Sequence, residues 1–96
     1  MFNPASGQPI GAVDWNADAE AREAIAAANT AWAGWRNTTA ADRAKLLHHW
    51  RELLASNASD IHKIMTMESG KPLKEAAGEM QAGLASLDWF AGEATR

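Results

Sequence analysis

Hydrophobic residues recur every three or four positions along most of the chain, which is the spacing of one face of an α-helix. The clearest pattern follows Thr39, which is predicted to cap a helix with Asp42 at the third helical position, as in a capping box. We predict that this helix reaches a break at residues 56–59. Its predicted buried face consists of Leu46, Leu47, Trp50, Leu53 and Leu54.

A second apolar stripe lies in an alanine-rich segment nearer the N-terminus. Asn16 is a favourable N-cap, and Asp18 and Glu20 place negative charge where the helix dipole favours it. We therefore predict a helix from Asn16 to about Ala33. Its apolar positions at helical spacing are Ala21, Ile25, Ala28 and Trp32.

Two more helices are predicted on either side of Gly70, Lys71 and Pro72. Gly70 ends the third helix, because glycine readily takes the left-handed conformation that closes a helix. The fourth runs from Pro72, whose fixed φ suits a first helical turn, to Arg96. The apolar positions of the third helix are Ile61, Ile64 and Met65, and those of the fourth are Leu73, Ala76, Ala77, Met80, Leu84, Leu87 and Phe90.

The first fifteen residues lack helical periodicity and carry Pro4, Gly7, Pro9 and Gly11. They predict two short extended segments around a turn at residues 5–8, too small to form a stable sheet alone. The expected fold class is therefore mainly α, with about four helices over residues 16–96 after a short extended or β-hairpin N-terminus at residues 1–15.

Composition and charge are those of one small globular domain: 96 residues, 47% hydrophobic, with a net charge of −3. No block of like charges points to nucleic acid or to a membrane surface. No apolar run approaches the roughly 20 residues of a membrane span, and the N-terminus lacks the pattern of a signal peptide. We expect a cytoplasmic protein with neither nucleic acid nor membrane as a partner.

The pair Gly70-Lys71 does not match a phosphate-binding loop. Such a loop needs a glycine five positions before the second one and a Ser or Thr after the lysine, whereas this chain has Met65 and Pro72. The pair is therefore interpreted as part of a corner between two helices.

Metal and nucleophile chemistry also lack their usual residues. His48 and His49 point about 100° apart on a helix, and His62 lies beyond the next break. The chain contains no cysteine, and therefore neither a thiolate ligand nor a cysteine nucleophile. We predict no catalytic residue, no cofactor-binding residue and no metal ligand.

Five tryptophans are many for a chain of this length. Beside Leu and Ile they are interpreted as core or interface anchors, with an aromatic ligand platform as the alternative. A chain this short hides only about two thirds of its unfolded surface, so some apolar side chains should be exposed. Trp89 and Phe90 are the first candidates, since adjacent helical positions point to different faces. The other tryptophans are Trp15, Trp32, Trp35 and Trp50.

Several short motifs, in order along the chain, resemble the N-terminal segment of the aldehyde dehydrogenases, and most closely the succinate-semialdehyde dehydrogenase branch. The resemblance covers essentially the whole chain. It implies that residues 1–96 are an incomplete, N-terminal part of the cofactor-binding domain of a much longer α/β enzyme. The matching positions are Asn3 to Gly7, Arg43, Glu68 to Leu73 and Trp89 to Glu93.

The resemblance implies oxidation of an aldehyde, such as succinic semialdehyde, to the carboxylic acid with NAD or NADP. In the family a cysteine attacks the aldehyde, hydride passes to the nicotinamide, and a glutamate activates the water that hydrolyses the thioester. An asparagine and a backbone N–H stabilise the oxyanion. These groups are not among the 96 residues, so we expect neither activity nor cofactor binding from this chain alone. Its expected partner is the remainder of a dehydrogenase chain, in a family that is typically homo-oligomeric.

The resemblance also implies one candidate site, at the mouth of the substrate tunnel. The helix that matches Leu73 to Arg96 borders that tunnel, and Gly78 and Ala82 match two positions at its entrance. Small side chains there would leave the entrance open, or would let another helix pack closely. Gly78 and Gly83 each weaken the helix by up to ~1 kcal/mol relative to alanine. This cost also favours a packing reason for the two glycines, such as another element that lies close to that face. Lys71 belongs to the family motif without an assigned catalytic role.

Two functions remain open at this point. The first is a segment of an oxidoreductase that works only with the rest of its chain. The second is an independent helical interaction module, derived from that family, that binds another protein through exposed Trp and Leu. Coding sequence that continues into a cysteine-containing segment favours the first, and cooperative folding of the 96 residues alone favours the second.

Overall fold

The computed structural model describes residues 1–95, and within them the chain forms four helices joined by short connections. The only β pairing in this range is an isolated bridge, so the mainly α prediction is confirmed. Arg96, the predicted end of the fourth helix, lies outside the described residues. The helices are α1 (Asp18–Trp35), α2 (Ala40–Ser56), α3 (Ala58–Ser69) and α4 (Leu73–Glu93).

A small hairpin opens the chain, in agreement with the predicted pair of extended segments. Phe2 and Pro9 form an antiparallel bridge. The Asn3 N–H donates to the Gln8 carbonyl at 2.9 Å, and the Gly7 N–H donates to the Asn3 carbonyl at 2.7 Å. Gly7 has a φ of 69°, so the turn needs a residue that tolerates the left-handed region.

The first helix begins one residue later than predicted and continues to Trp35. Its N-cap is Ala17 and not Asn16. The Glu20 carboxylate explains the shift, because it accepts a hydrogen bond from the Ala17 N–H at 3.0 Å. All of α1 is exposed, and within residues 1–95 it packs on none of the other helices. The predicted apolar stripe of α1 therefore covers no core here.

The second helix has the predicted N-cap. The Thr39 hydroxyl accepts a hydrogen bond from the Asp42 N–H at 3.1 Å. The Asp42 carboxylate does not complete a capping box; it accepts from the Thr39 hydroxyl at 2.7 Å and from the Lys45 ammonium at 3.2 Å. These bonds, that from Thr39 first, lower the pKa of Asp42 from its ordinary value of 3.8.

The core runs along α4, which packs against both α2 and α3. Its buried residues share one face of the helix, as the periodicity predicts. The chain connects α2 to α3 through Asn57 alone, whose side-chain amide donates to the Leu53 carbonyl at 2.8 Å. The buried hydrophobic residues are Ala44 from α2 and Ala76, Met80, Leu84 and Ala91 from α4.

The predicted buried face of α2 is wrong for three of its five residues. Leu46, Trp50 and Leu53 are 54%, 54% and 50% exposed. The apolar face of α2 is wider than α4 can cover, and α4 packs over the edge that carries Leu47 and Leu54. The rest of that face is left facing outward as a stripe of large side chains.

The corner between α3 and α4 is built around Gly70, as predicted. Gly70 has a φ of 75° and closes α3. Pro72 is the N-cap of α4, which corrects its predicted place in the first helical turn. A Cβ on Gly70 would lie 2.9 Å from Cγ of Pro4, so the turn of the N-terminal hairpin packs directly on this corner.

The whole molecule is thin, with extents of 48 × 35 × 17 Å. Its radius of gyration is 17.3 Å, against about 13 Å for a compact domain of this length. Its accessible surface of 7410 Å² exceeds by about 2,000 Å² the roughly 5,400 Å² expected of a folded monomer of this mass. Within residues 1–95 no helix is both long and apolar enough to span a bilayer.

Candidate functional site

The two candidate tunnel residues lie on the outer face of α4. Gly78 is two positions from both Ala76 and Met80, and hence about 200° around the helix from the buried stripe. Ala82 has the same relation to Met80 and Leu84. Both residues are exposed, so the structure brings them together on one open surface one turn apart.

No close neighbour explains the glycines of α4 within the described residues. A Cβ built on Gly78 or on Gly83 meets no atom within 4 Å. The expected packing reason for these glycines is therefore not found in residues 1–95. The small residues Gly78 and Ala82 leave a shallow, unobstructed surface on α4, which we call the floor.

An exposed aromatic pair follows this floor. Trp89 lies seven positions after Ala82, two helical turns along the same face. Trp89 is 65% exposed and Phe90 62%, as expected from their adjacent positions. The remaining four tryptophans are exposed as well, so the indoles anchor no core among the described residues.

The lysine of the family motif has a structural partner. The Lys71 ammonium donates to the Glu79 carboxylate at 2.6 Å and so ties the corner to the second turn of α4. Gly70, beside it, is in contact with Pro4. These contacts do not fit a dinucleotide phosphate site, because the lysine charge is already paired and Pro4 packs beside the exposed Gly70.

A second charged cluster joins α2 to α4. Arg51 Nε donates to Asp88 Oδ2 at 3.0 Å, and His48 Nδ1 lies 3.7 Å from Asp88 Oδ1. All three side chains are at least about one third exposed, which makes the cluster a partly solvated clamp. The sequence pattern missed it, because residues so far apart carry no shared periodic signal.

The three histidines do not converge. His48 lies beside Asp88. Among residues 1–95, the buried Nε2 atom of His62 on α3 and the buried hydroxyl of Thr66, one turn later, have no hydrogen-bond partner. Over residues 1–95 no group of three His, Cys, Asp or Glu side chains is arranged to hold a metal ion. None of the three histidines lies on α4.

Comparison with known proteins gives the context of this surface. The sequence model of the aldehyde dehydrogenase family matches residues 1–96. Glutarate-semialdehyde dehydrogenase of Pseudomonas putida is 46% identical over the whole chain. Succinate-semialdehyde dehydrogenase [NADP(+)] of Escherichia coli is 43% identical, also over the whole chain.

Solved structures agree with the sequence comparison. A crystal structure of an aldehyde dehydrogenase from Brucella melitensis superposes with a TM-score of 0.98 at 46% identity, over all of this chain. This chain covers 20% of that structure and 20% of each of the two enzymes above. It matches their N-terminal part and so represents part of their fold. The chain belongs to the aldehyde dehydrogenase family.

Proposed function

We propose that this chain supplies the N-terminal part of an NAD(P)-dependent aldehyde dehydrogenase and acts only when the rest of such a polypeptide covers its exposed faces. One observation carries the proposal: the chain superposes on a fifth of a dehydrogenase while about 2,000 Å² of surface beyond the expected value stays exposed. An excess of that size is typical of surfaces that are buried permanently.

The chemistry belongs to the remainder of the enzyme. This chain has no cysteine to form a covalent intermediate with an aldehyde. Its Lys71 and Gly70 are engaged by Glu79 and Pro4, so the NAD or NADP is assigned to residues outside the chain. Relatives named for the semialdehydes of succinate and glutarate favour a short aldehyde that carries a carboxylate as the substrate. We further propose a homo-oligomeric enzyme in the cytoplasm.

Within that enzyme, Gly78 and Ala82 form part of the mouth of the substrate tunnel. Their exposure on one face of α4, with no atom near a Cβ on Gly78, supports this role. Because both side chains are small, they leave space through which an aldehyde can pass over α4. The two residues are specificity residues and take no part in bond making.

A chimera tests the proposal. The 96 residues replace the matching segment of the Escherichia coli enzyme, and oxidation of succinic semialdehyde with NADP is measured. We expect the chimera to be active, and Gly78→Trp or Ala82→Trp to raise KM by about tenfold or more, which equals about 1.4 kcal/mol of lost binding. Gly83→Trp is the matched control, because Gly83 is another glycine of α4 with open space at its Cβ but lies about 140° around the helix from Gly78.

The outcomes separate the two parts of the proposal. A folded, NADP-binding chimera without activity contradicts the function. An active chimera in which Gly78→Trp and Gly83→Trp have the same KM contradicts the tunnel role alone. The competing function, an independent interaction module, uses the same exposed tryptophans and predicts a chain that unfolds cooperatively as a clean monomer by itself.

A further inference from the structure

The first helix is isolated although its connection to the second is short. Only residues 36–39 separate α1 from α2, and helices joined by two to five residues commonly pack antiparallel as a hairpin. Here α1 packs on none of α2, α3 and α4 within the described residues, and all of it is exposed. Because helices in proteins owe most of their stability to the packing of one face, α1 lacks its usual support.

Both helices carry an exposed seam of the kind that pairs with another helix. The α1 seam consists of Ala21, Ile25, Ala28, Trp32 and Trp35, spaced alternately by four and three residues. The α2 seam, Leu46, Trp50 and Leu53, has the same spacing and is about half exposed. Such spacing is typical of helices that pack nearly parallel or antiparallel. All of α1 is exposed, so no other helix among residues 1–95 covers its seam.

The two seams match in register. In an antiparallel pair, residues equally far from the connection lie opposite one another. Ile25 is then opposite Trp50. To within one residue, Ala28 is opposite Leu46 and Ala21 is opposite Leu53, so the small residues of α1 face the large ones of α2. Large side chains opposite small ones allow two helices to approach closely.

We propose that in the free chain α1 folds back onto α2 about residues 36–39, so that Ala21, Ile25 and Ala28 cover Leu53, Trp50 and Leu46. The connection can act as the hinge because its backbone bonds are local: Asn37 N–H to Gly34 at 3.1 Å and Thr38 N–H to Trp35 at 3.0 Å. The contact blocks the α2 seam until other segments of a dehydrogenase displace α1. It goes beyond the proposed function, because it describes the chain when nothing else is bound.

An intramolecular occupant is favoured over a second copy of the chain by area. Three side chains that are each about half exposed offer far less than the roughly 800 Å² per partner of a stable interface. A tethered helix needs less, because a short connection gives it an effective concentration in the millimolar range. So small a seam on α2 is therefore covered by α1 of the same chain and not by a second copy.

Engineered cysteines test the fold-back directly, since the chain has none of its own. The pair Ala28→Cys and Leu46→Cys lies face to face in the proposed hairpin, while Ala28→Cys with Lys45→Cys points a third of a turn away. In dilute solution we expect the first pair to form an intramolecular disulfide at least about tenfold faster than the second. Equal rates, or disulfides only between chains, overturn the proposal.

Hydrogen exchange gives a second readout that needs no cysteine. Trp50→Ser should speed exchange of the α1 amides by about tenfold or more, because it removes the centre of the covering seam. Ile64→Ser on α3 is the matched control, since Ile64 is 52% exposed against 54% for Trp50. Equal α1 exchange in the two variants overturns the fold-back. Neither experiment measures dehydrogenase activity, so its failure is distinct from failure of the proposed function.

Discussion

Single residues at the ends of the helices explain where this chain turns. Gly70 was predicted to stop α3 because only glycine takes the left-handed conformation at little cost, and its φ of 75° confirms it. Its second role, to admit Pro4 at the corner, has no signal in the local sequence. A contact between a hairpin turn and a distant corner depends on the packing of everything between them.

Substitution of Gly70 should be costly. Gly70→Ala places a side chain at positive φ, which costs about 1–2 kcal/mol, and brings its Cβ against Pro4. Gly83→Ala is the control: it lies inside α4 with open space at the Cβ, and should stabilise the helix by up to about 1 kcal/mol. Urea unfolding followed by circular dichroism measures both. Two variants of equal stability would refute the role given to the corner.

The cap of α2 should make stability depend on pH in acid. The Thr39 hydroxyl, and then Lys45, lower the pKa of Asp42 from 3.8, so its charged form is favoured by folding. This contribution is present above pH 3.8 and disappears as pH falls through the lower folded value.

Substitutions at the cap test this dependence. Asp42→Asn should remove that acidic dependence. Thr39→Ala should weaken it, because Lys45 still lowers the pKa of Asp42, and should cost about 1 kcal/mol at neutral pH, whereas Thr39→Ser should preserve both. Thermal midpoints measured through this pH range decide the matter; an unchanged acid profile in Asp42→Asn would contradict the cap.

At the scale of elements, the sequence predicts where the helices lie better than what they cover. Periodicity located all four helices. The starts of α1 and α4 are displaced by one residue, where Glu20 and Pro72 set different caps, and α4 ends at Glu93, three residues before the predicted end at Arg96. It cannot say which part of a wide apolar face is covered, and so Leu46, Trp50 and Leu53 were wrongly predicted to be buried. The charged contacts of Lys71 with Glu79 and of Arg51 with Asp88 escaped prediction for a related reason: they depend on the angles between helices.

The exposed aromatic side chains near the end of α4 should make the isolated chain self-associate. Trp89 and Phe90 are both more than 60% exposed and adjoin the open floor at Ala82. We expect the chain to bind a hydrophobic dye and to self-associate in light scattering, and Trp89→Ser and Phe90→Ser to weaken both signals. Gln81→Ser is a control at an exposed polar site. A clean monomer with sharp cooperative melting and no dye signal would favour the independent module.

At the scale of the whole molecule, the extended shape is the clearest sign that the four helices are part of a larger fold. A radius of gyration of 17.3 Å and the excess accessible surface both mean that one layer of helices lacks a covering layer. The motifs placed the chain in its family, and the superposition at a TM-score of 0.98 confirmed the arrangement. The identity of the covering elements lies outside these residues and could not be read from them.

Dehydrogenase activity should depend on whether the chain is joined to the remainder of an enzyme. The 96-residue chain alone, and the same chain joined to the remainder of the Escherichia coli succinate-semialdehyde dehydrogenase, are assayed for reduction of NADP with succinic semialdehyde. We expect no reduction above background by the chain alone, which has no cysteine, and clear reduction by the joined protein. Reduction by the chain alone, or a folded joined protein that stays inactive, would contradict this expectation.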